Sequence, residues 1–268
     1  MYGAIIGDIV GEPFEFDKGD KTKTFELFTE KSRFTDDSVM TIAVESAVLA
    51  HDSNETDDIL EQAFITSMKD YGKKYINAGY GGMFFRWLIS PFPKPYGSFG
   101  NGSAMRVSSV GWLYDDILET RRMAYLSAVV THNHPEGIKG AEAVASAIYL
   151  ARHGSTNSEI KKYLESEFSY DLNRSCDEIR PNYSMDATCQ GSVPEAIISF
   201  LEGMDFEDCL RNAVSLGGDT DTLACIAGSI AEARYGVPNE LVCEAKKRIP
   251  SEMIDVMDKM YARIGKDI

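Results

Sequence analysis

Two short segments concentrate carboxylates and hydroxyls: Phe34-Thr35-Asp36-Asp37-Ser38 near the start, and Gly217-Gly218-Asp219-Thr220-Asp221-Thr222 near the end. Each sits where an apolar helix would begin, and all-oxygen clusters of this kind hold hard divalent cations. Asp, Ser and Thr are also ordinary N-cap residues, but a cap needs only one side-chain oxygen. Capping therefore accounts for Ser38 or Thr220 and leaves Asp36, Asp37, Asp219 and Asp221 unexplained, with Thr35 and Thr222 beside them. Four carboxylates packed together repel one another unless cations neutralise them.

Further segments carry groups capable of chemistry. Glu15 lies in Glu12-Pro13-Phe14-Glu15-Phe16-Asp17, which reads either as a solvated acidic loop or as the holder of a positioned carboxylate. Ser98-Phe99-Gly100-Asn101-Gly102 has small residues that let backbone N–H groups approach an anion, with a helix expected from near Ala104. It is not a P-loop, because no G-x-x-x-x-G-K-S/T string is present, and no Rossmann glycine turn occurs. His132 and His134 lack a Cys or third His nearby, which argues against zinc. A ligand contact and a capping or packing role both stay open for His132, as do a phosphate contact and an ion pair for Arg106. Cys189-Gln190-Gly191-Ser192 precedes a helix and is a candidate for the wall of a cleft.

The elements that must position these groups read as helices. Asp37 to Ala50 places Met40, Val44, Ala47 and Val48 at helical spacing, and Thr56 to Tyr71 follows with an acidic first turn. Further helices are expected over 104–113, 118–130, 137–152, 157–167, 193–201, 205–216, 220–235, 239–248 and 251–263. Strand alternation is missing. The fold class expected is all-α, with the helices at Asp37 and Thr220 both apolar enough to be central. Loop character marks Gly79-Tyr80-Gly81-Gly82, the run Pro91 to Pro95, and the polar stretch Ser169 to Gly191, long enough to be functional or mobile.

The 268 residues permit a sizeable core, and no linker or repeat divides them, so one domain over 1–268 is expected; a monomer is the expectation for assembly, which the sequence itself does not settle. A hydrophobic fraction of 44% with 26% charged residues is that of a globular protein, and no apolar run reaches membrane-spanning length. The first residues lack a basic segment ahead of the apolar stretch and do not read as a secretion signal. Five scattered cysteines without a C-x-x-C pair argue for reduced thiols and a cytoplasmic setting. A net charge of -15 argues against a general affinity for nucleic-acid backbones.

Taken together, Thr35-Asp36-Asp37 and Gly218-Asp219-Thr220-Asp221-Thr222 resemble the ADP-ribosylglycohydrolase family, the dinitrogenase reductase-activating glycohydrolase group. Gly7-Asp8-Ile9-Val10-Gly11-Glu12-Pro13-Phe14-Glu15, Gly100-Asn101-Gly102-Ser103-Ala104-Met105-Arg106 and Thr131-His132-Asn133-His134 fall in the family's order, so the resemblance covers nearly the whole chain. Ser38 stands where family members often have Thr.

The resemblance implies a compact orthogonal multi-helix bundle with a binuclear cleft holding two Mg²⁺ or Mn²⁺. Thr35, Asp36 and Asp37 would hold one ion and Asp219, Asp221 and Thr222 the other, with Asp221 bridging. Glu15 becomes the candidate for activating a water, with Asp36 and Asp221 completing the catalytic set. Ser98, Phe99, Gly100, Asn101 and Gly102 would hold the diphosphate and adenosine of ADP-ribose, Phe99 stacking on adenine, and His132 a phosphate or the distal ribose. The implied reaction is hydrolysis of the bond between that ribose and an acceptor on a protein or small conjugate, arginine-type linkages first, with ADP-ribosylated bases still open. A two-metal phosphoesterase or pyrophosphatase and a non-catalytic ADP-ribose-binding relative are the competing readings.

Overall fold

The computed structural model describes residues 1–266. Among them there are fifteen α-helices and no strand. In chain order these are α1 (Tyr2–Gly11), α2 (Asp36–Ala50), α3 (Asp57–Lys74), α4 (Gly82–Ile89) and α5 (Gly102–Met105). Then come α6 (Ser108–Leu113), α7 (Ile117–Val129), α8 (Pro135–Arg152), α9 (Asn157–Phe168) and α10 (Cys176–Ile179). The last are α11 (Cys189–Glu202), α12 (Phe206–Ser215), α13 (Thr220–Tyr235), α14 (Asn239–Lys246) and α15 (Ser251–Arg263). The all-α expectation holds.

The central pair is α1 against α13. Gly3, Gly7 and Gly11 recur every fourth residue and so form a flat stripe on one face of α1. A Cβ added to them would lie 2.3 Å from Gly228 O, 2.1 Å from Ala224 O and 2.3 Å from Thr220 O respectively. The two backbones therefore touch, and the falling partner numbers show that the helices run antiparallel. The other faces of α1 bury Ile5, Ile6, Ile9 and Val10 completely, each contributing roughly 1.5–3 kcal/mol by burial.

This pairing has a consequence for the site: the C-terminal end of α1 arrives beside the N-terminal end of α13. A 3-10 turn, Glu12–Phe14, continues from α1 and delivers Glu15. Thr220 Oγ1 donates to Gly11 O at 2.8 Å and Phe16 N to Gly218 O at 2.9 Å, so the two segments are stitched together.

Several expectations needed correction. The apolar start of the chain is helix α1, whose period is hidden because the helix is buried on every side. Gly79, Tyr80 and Gly81 lie outside any helix as expected, but the apolar residues that follow form α4 from Gly82, a helix absent from the sequence reading. The helix expected over 104–113 is two short helices, α5 and α6, divided at Arg106-Val107. The long polar stretch from Ser169 contains α10 and ends at Cys189, where α11 begins. All five cysteines are free and only Cys243 is exposed, and no described helix is long and apolar enough to cross a membrane.

Candidate active site

The N-terminus of α2 is built around an acid from another helix. Thr35 is its N-cap, and its hydroxyl accepts from Asp37 N at 3.3 Å. Asp8, wholly buried on α1, accepts from Thr35 N at 2.9 Å, Thr35 Oγ1 at 2.7 Å and Ser38 N at 3.0 Å, and from the Ser38 hydroxyl. Asp8 thus takes over orphan N–H groups of the first turn. Asp36 and Asp37 are released from capping and turn toward the cleft.

The start of α13 achieves the same release differently. Gly217 and Gly218 have φ of +80° and +75°, left-handed values that glycine adopts without strain. Asp219 occupies the N-cap position without making a side-chain cap bond. Its Oδ2 instead accepts the Asn101 side-chain amide at 2.7 Å, while Asp221 Oδ1 accepts from Thr222 N at 2.9 Å.

A cleft of about 400 Å³ opens over these residues. Its floor includes Glu15, Asp36, Asp37, Asp219, Asp221 and Thr222, and its walls include Tyr96, Ser98, Gly100, Asn101, Gly102 and His132. A second cavity of about 270 Å³ shares Glu15, Asp36 and Asp221 with it and adds Thr35 and the Glu12–Arg33 ion pair. The sequence-selected residues therefore converge, with Thr35 on the far side of the acids and Phe99 outside the cleft. Phe99 is 45% exposed and packs its ring 5.3 Å from that of His134.

The acids fit a metal. Carboxylate oxygens of Glu15, Asp219 and Asp221 all lie within 4.8 Å of one another, and Asp37 Oδ1 is buried with no hydrogen-bond partner among the described residues. An orphaned buried carboxylate oxygen among other carboxylates is costly unless a cation meets it. Glu15 joins the donor group here, whereas the sequence placed it outside the metal set.

Without cations the repulsion appears in the titration of these groups. Burial pushes Glu15 up to about 7, with Asp219 adding to the effect. Burial and then Asp8 raise Asp36 to about 7. Burial also raises Asp8 to about 6 against its hydrogen bonds, and lifts Asp37 and Asp221 well above the usual carboxylate range.

The glycine loop is held by a strand-like bridge to Thr188. Asn101 N donates to Ala187 O at 2.9 Å and Gly100 N to Ser98 Oγ at 3.2 Å. Gly102 N–H has no partner among the described residues and stands at the first position of α5. Of the two roles left open for Arg106, the ion pair is not formed among the described residues: the side chain is 1% exposed, in the cleft wall, donating to Ser127 O at 2.6 Å and Thr131 Oγ1 at 2.8 Å. His132 is buried and held neutral, its pKa well below the ordinary value through burial and then Arg106. His134 caps α8 through Nδ1. Cys189 lies buried under the loop, its Sγ 3.1 Å from Gly100 O, so Met185 and Ala187 line the cleft in its place.

Two contributors escaped the sequence reading of the site. Asp8 was visible only as an acid inside an apolar run, and the Asn101–Asp219 bond joins residues 118 apart with no local signal.

The chain matches the ADP-ribosylglycohydrolase family over residues 1–266. It is 28% identical to ADP-ribosylhydrolase ARH3 of Homo sapiens, across 88% of this chain and 84% of that protein. It is 23% identical to the putative ADP-ribosyl glycohydrolase L543 of Acanthamoeba polyphaga mimivirus, across 92% and 91%. A solved structure titled ADP-ribosylglycohydrolase-related protein complex shares the fold at a TM-score of 0.71 and 20% identity, covering 98% of this chain and 95% of that one. With its match running from the first residue to the last one described, the chain belongs to the ADP-ribosylglycohydrolase family.

Proposed function

We propose that this protein is a metal-dependent hydrolase that cleaves the glycosidic bond between the distal ribose of an ADP-ribosyl group and its acceptor, releasing ADP-ribose. The observation that carries this reading is the convergence of Glu15, Asp36, Asp37, Asp219 and Asp221 on the floor of one cleft whose wall is a small-residue loop. The family supports hydrolysis of ADP-ribose conjugates. The substrate would be an ADP-ribosylated protein or small conjugate, handled by a monomer of one domain.

Thr35, Asp36 and Asp37 would hold one Mg²⁺ or Mn²⁺, and Asp219, Asp221 and Thr222 a second, with Asp221 shared. Divalent ions bound there supply Lewis-acid chemistry, compensating charge and making water more acidic. Glu15, half-buried at the edge of the donor group, takes the proton of the attacking water on its carboxylate. With cations bound beside it the Glu15 carboxylate is held ionised, the form that can accept a proton. Asn101 orients Asp219 through its amide. Gly102 N–H and the start of α5 face the diphosphate, and His132 contacts a phosphate or the ribose without bringing charge.

The test is product identity. Defined arginine-, serine- and acetyl-linked ADP-ribosyl conjugates, mixed with the protein and Mg²⁺, should yield free ADP-ribose. AMP or inorganic phosphate as the product would assign the site to a phosphoesterase, and no turnover of any linkage would refute the proposal.

A further inference from the structure

His132 presents one ring nitrogen to the cleft, and its other nitrogen touches a hydrogen-bond chain that the hydrolytic mechanism leaves unused. Nδ1 lies 2.7 Å from Thr131 Oγ1. That hydroxyl accepts Arg106 Nη2 at 2.8 Å, and the same guanidinium nitrogen donates to Ser127 O at 2.6 Å. Arg106 can only donate, so it fixes one end of the chain. We propose that Arg106 and Thr131 are positioning residues that lock His132 as the neutral Nε2–H tautomer, a fixed donor aimed at the glycine loop.

The hydroxyl of Thr131 has a single proton and two places to send it. Ala128 O is 3.4 Å away and already accepts two backbone N–H groups, from Thr131 at 3.1 Å and His132 at 2.7 Å. His132 Nδ1 is much closer and otherwise without a donor. Donation from Arg106 polarises the Thr131 O–H and makes it a better donor in turn. The proton therefore goes to Nδ1, and the ring's own proton must sit on Nε2.

Nε2 is where a donor would matter. A Cβ built on Gly102 would be 3.3 Å from it, a tight approach, and one on Gly100 3.7 Å, an ordinary contact, so the ring nitrogen lies directly against the loop. Nε2–H then stands beside the glycine loop in the cleft wall, a side-chain donor for an anionic oxygen. Burial, with Arg106 adding to it, holds the ring's pKa well below the ordinary value and so favours the uncharged form at neutral pH. Its value for catalysis rests on the ADP-ribosyl reading above, while the tautomer itself does not.

The experiment uses full-length protein carrying ¹⁵N-histidine, with the His132 signals assigned by their loss in His132→Asn. Wild type should show a protonated Nε2 and an unprotonated Nδ1 from about pH 6 to about pH 8, well above the range in which a buried imidazole charges. Thr131→Val, which keeps shape and removes the hydroxyl, should give a mixture of tautomers, and Thr131→Ser should restore the single one. With an ADP-ribosyl conjugate, Thr131→Val should raise KM by about tenfold, the range for losing one oriented hydrogen bond, with a smaller change in kcat. A proton on Nδ1 in wild type, or a Thr131→Val spectrum identical to wild type, overturns the proposal. Calorimetry separates the two readings: a correct tautomer in a wild type that does not bind ADP-ribose refutes the functional reading alone.

Discussion

Asp8 on α1 accepts both the backbone N–H and the hydroxyl of Thr35, the N-cap of α2, at 2.9 and 2.7 Å. A carboxylate from one helix thus completes the first turn of another, which frees the acids of that turn for the cleft. Asp8→Ala strands these donors in the interior and should cost about 1–3 kcal/mol or more of stability. Urea unfolding measures it. Activity should fall further than stability alone explains, because Asp36 and Asp37 lose their orientation. A variant as stable and active as wild type would remove Asp8 from this role.

The Asn101 amide holds Asp219 Oδ2 across the cleft floor at 2.7 Å. Partners of metal-binding carboxylates commonly set affinity by about 10–100-fold, so Asn101→Ala should weaken Mn²⁺ binding by that order while the helical content stays unchanged. Calorimetric titration with Mn²⁺ reads the difference. Unaltered affinity would mean that Asp219 needs no orienting partner.

Chelator-treated protein should become more stable as pH falls. Glu15 and Asp36 sit at about 7 and Asp8 at about 6 in the folded chain, against ordinary values of 4.5 for Glu and 3.8 for Asp. Between about pH 4 and about pH 7 the folded state therefore holds protons that the unfolded state has released. Stability then declines as pH rises through that window. Thermal melts at about pH 8 and about pH 6 should differ by several degrees with chelator, and less with saturating Mg²⁺, which compensates the same charge. A melting point that rises with pH under chelator would contradict the sign.

Gly7→Ala would ordinarily favour a helix by about 1 kcal/mol. Here the new methyl lands 2.1 Å from Ala224 O, and forcing α1 away from α13 should cost about 1–3 kcal/mol or more. It would also displace Glu15 from Asp219 and Asp221. Chemical unfolding together with Mn²⁺ affinity tests both consequences, and a stabilised variant with intact metal binding would show that the helices do not need this approach.

Much of the site was legible because its acids exceed what capping requires, and because the Gly-rich loop and His132 follow in a recognisable order. The long amphipathic helices were legible for the ordinary reason that one face is wet. What could not be read depends on contacts between distant segments. α1 shows no helical period because all its faces are buried, and its glycines look like loop residues until α13 is laid against them. Arg106 reads equally as a phosphate contact or an ion-pair partner until the fold buries it against Ser127 and Thr131. The place of Phe99, outside the cleft and against His134, follows from the bridge between Gly100 and Thr188.

The central claim is that the Asp clusters hold metal that is required to break a glycosidic bond. Its most direct measurement is release of intact ADP-ribose from a defined ADP-ribosyl peptide, followed by mass spectrometry in wild type and Asp221→Asn, with chelator and after Mg²⁺ add-back. Wild type should release ADP-ribose with Mg²⁺, stop with chelator and resume on add-back, while the helical Asp221→Asn variant stays inactive throughout. Release that persists under chelator, or a product cut within the diphosphate, would contradict the account.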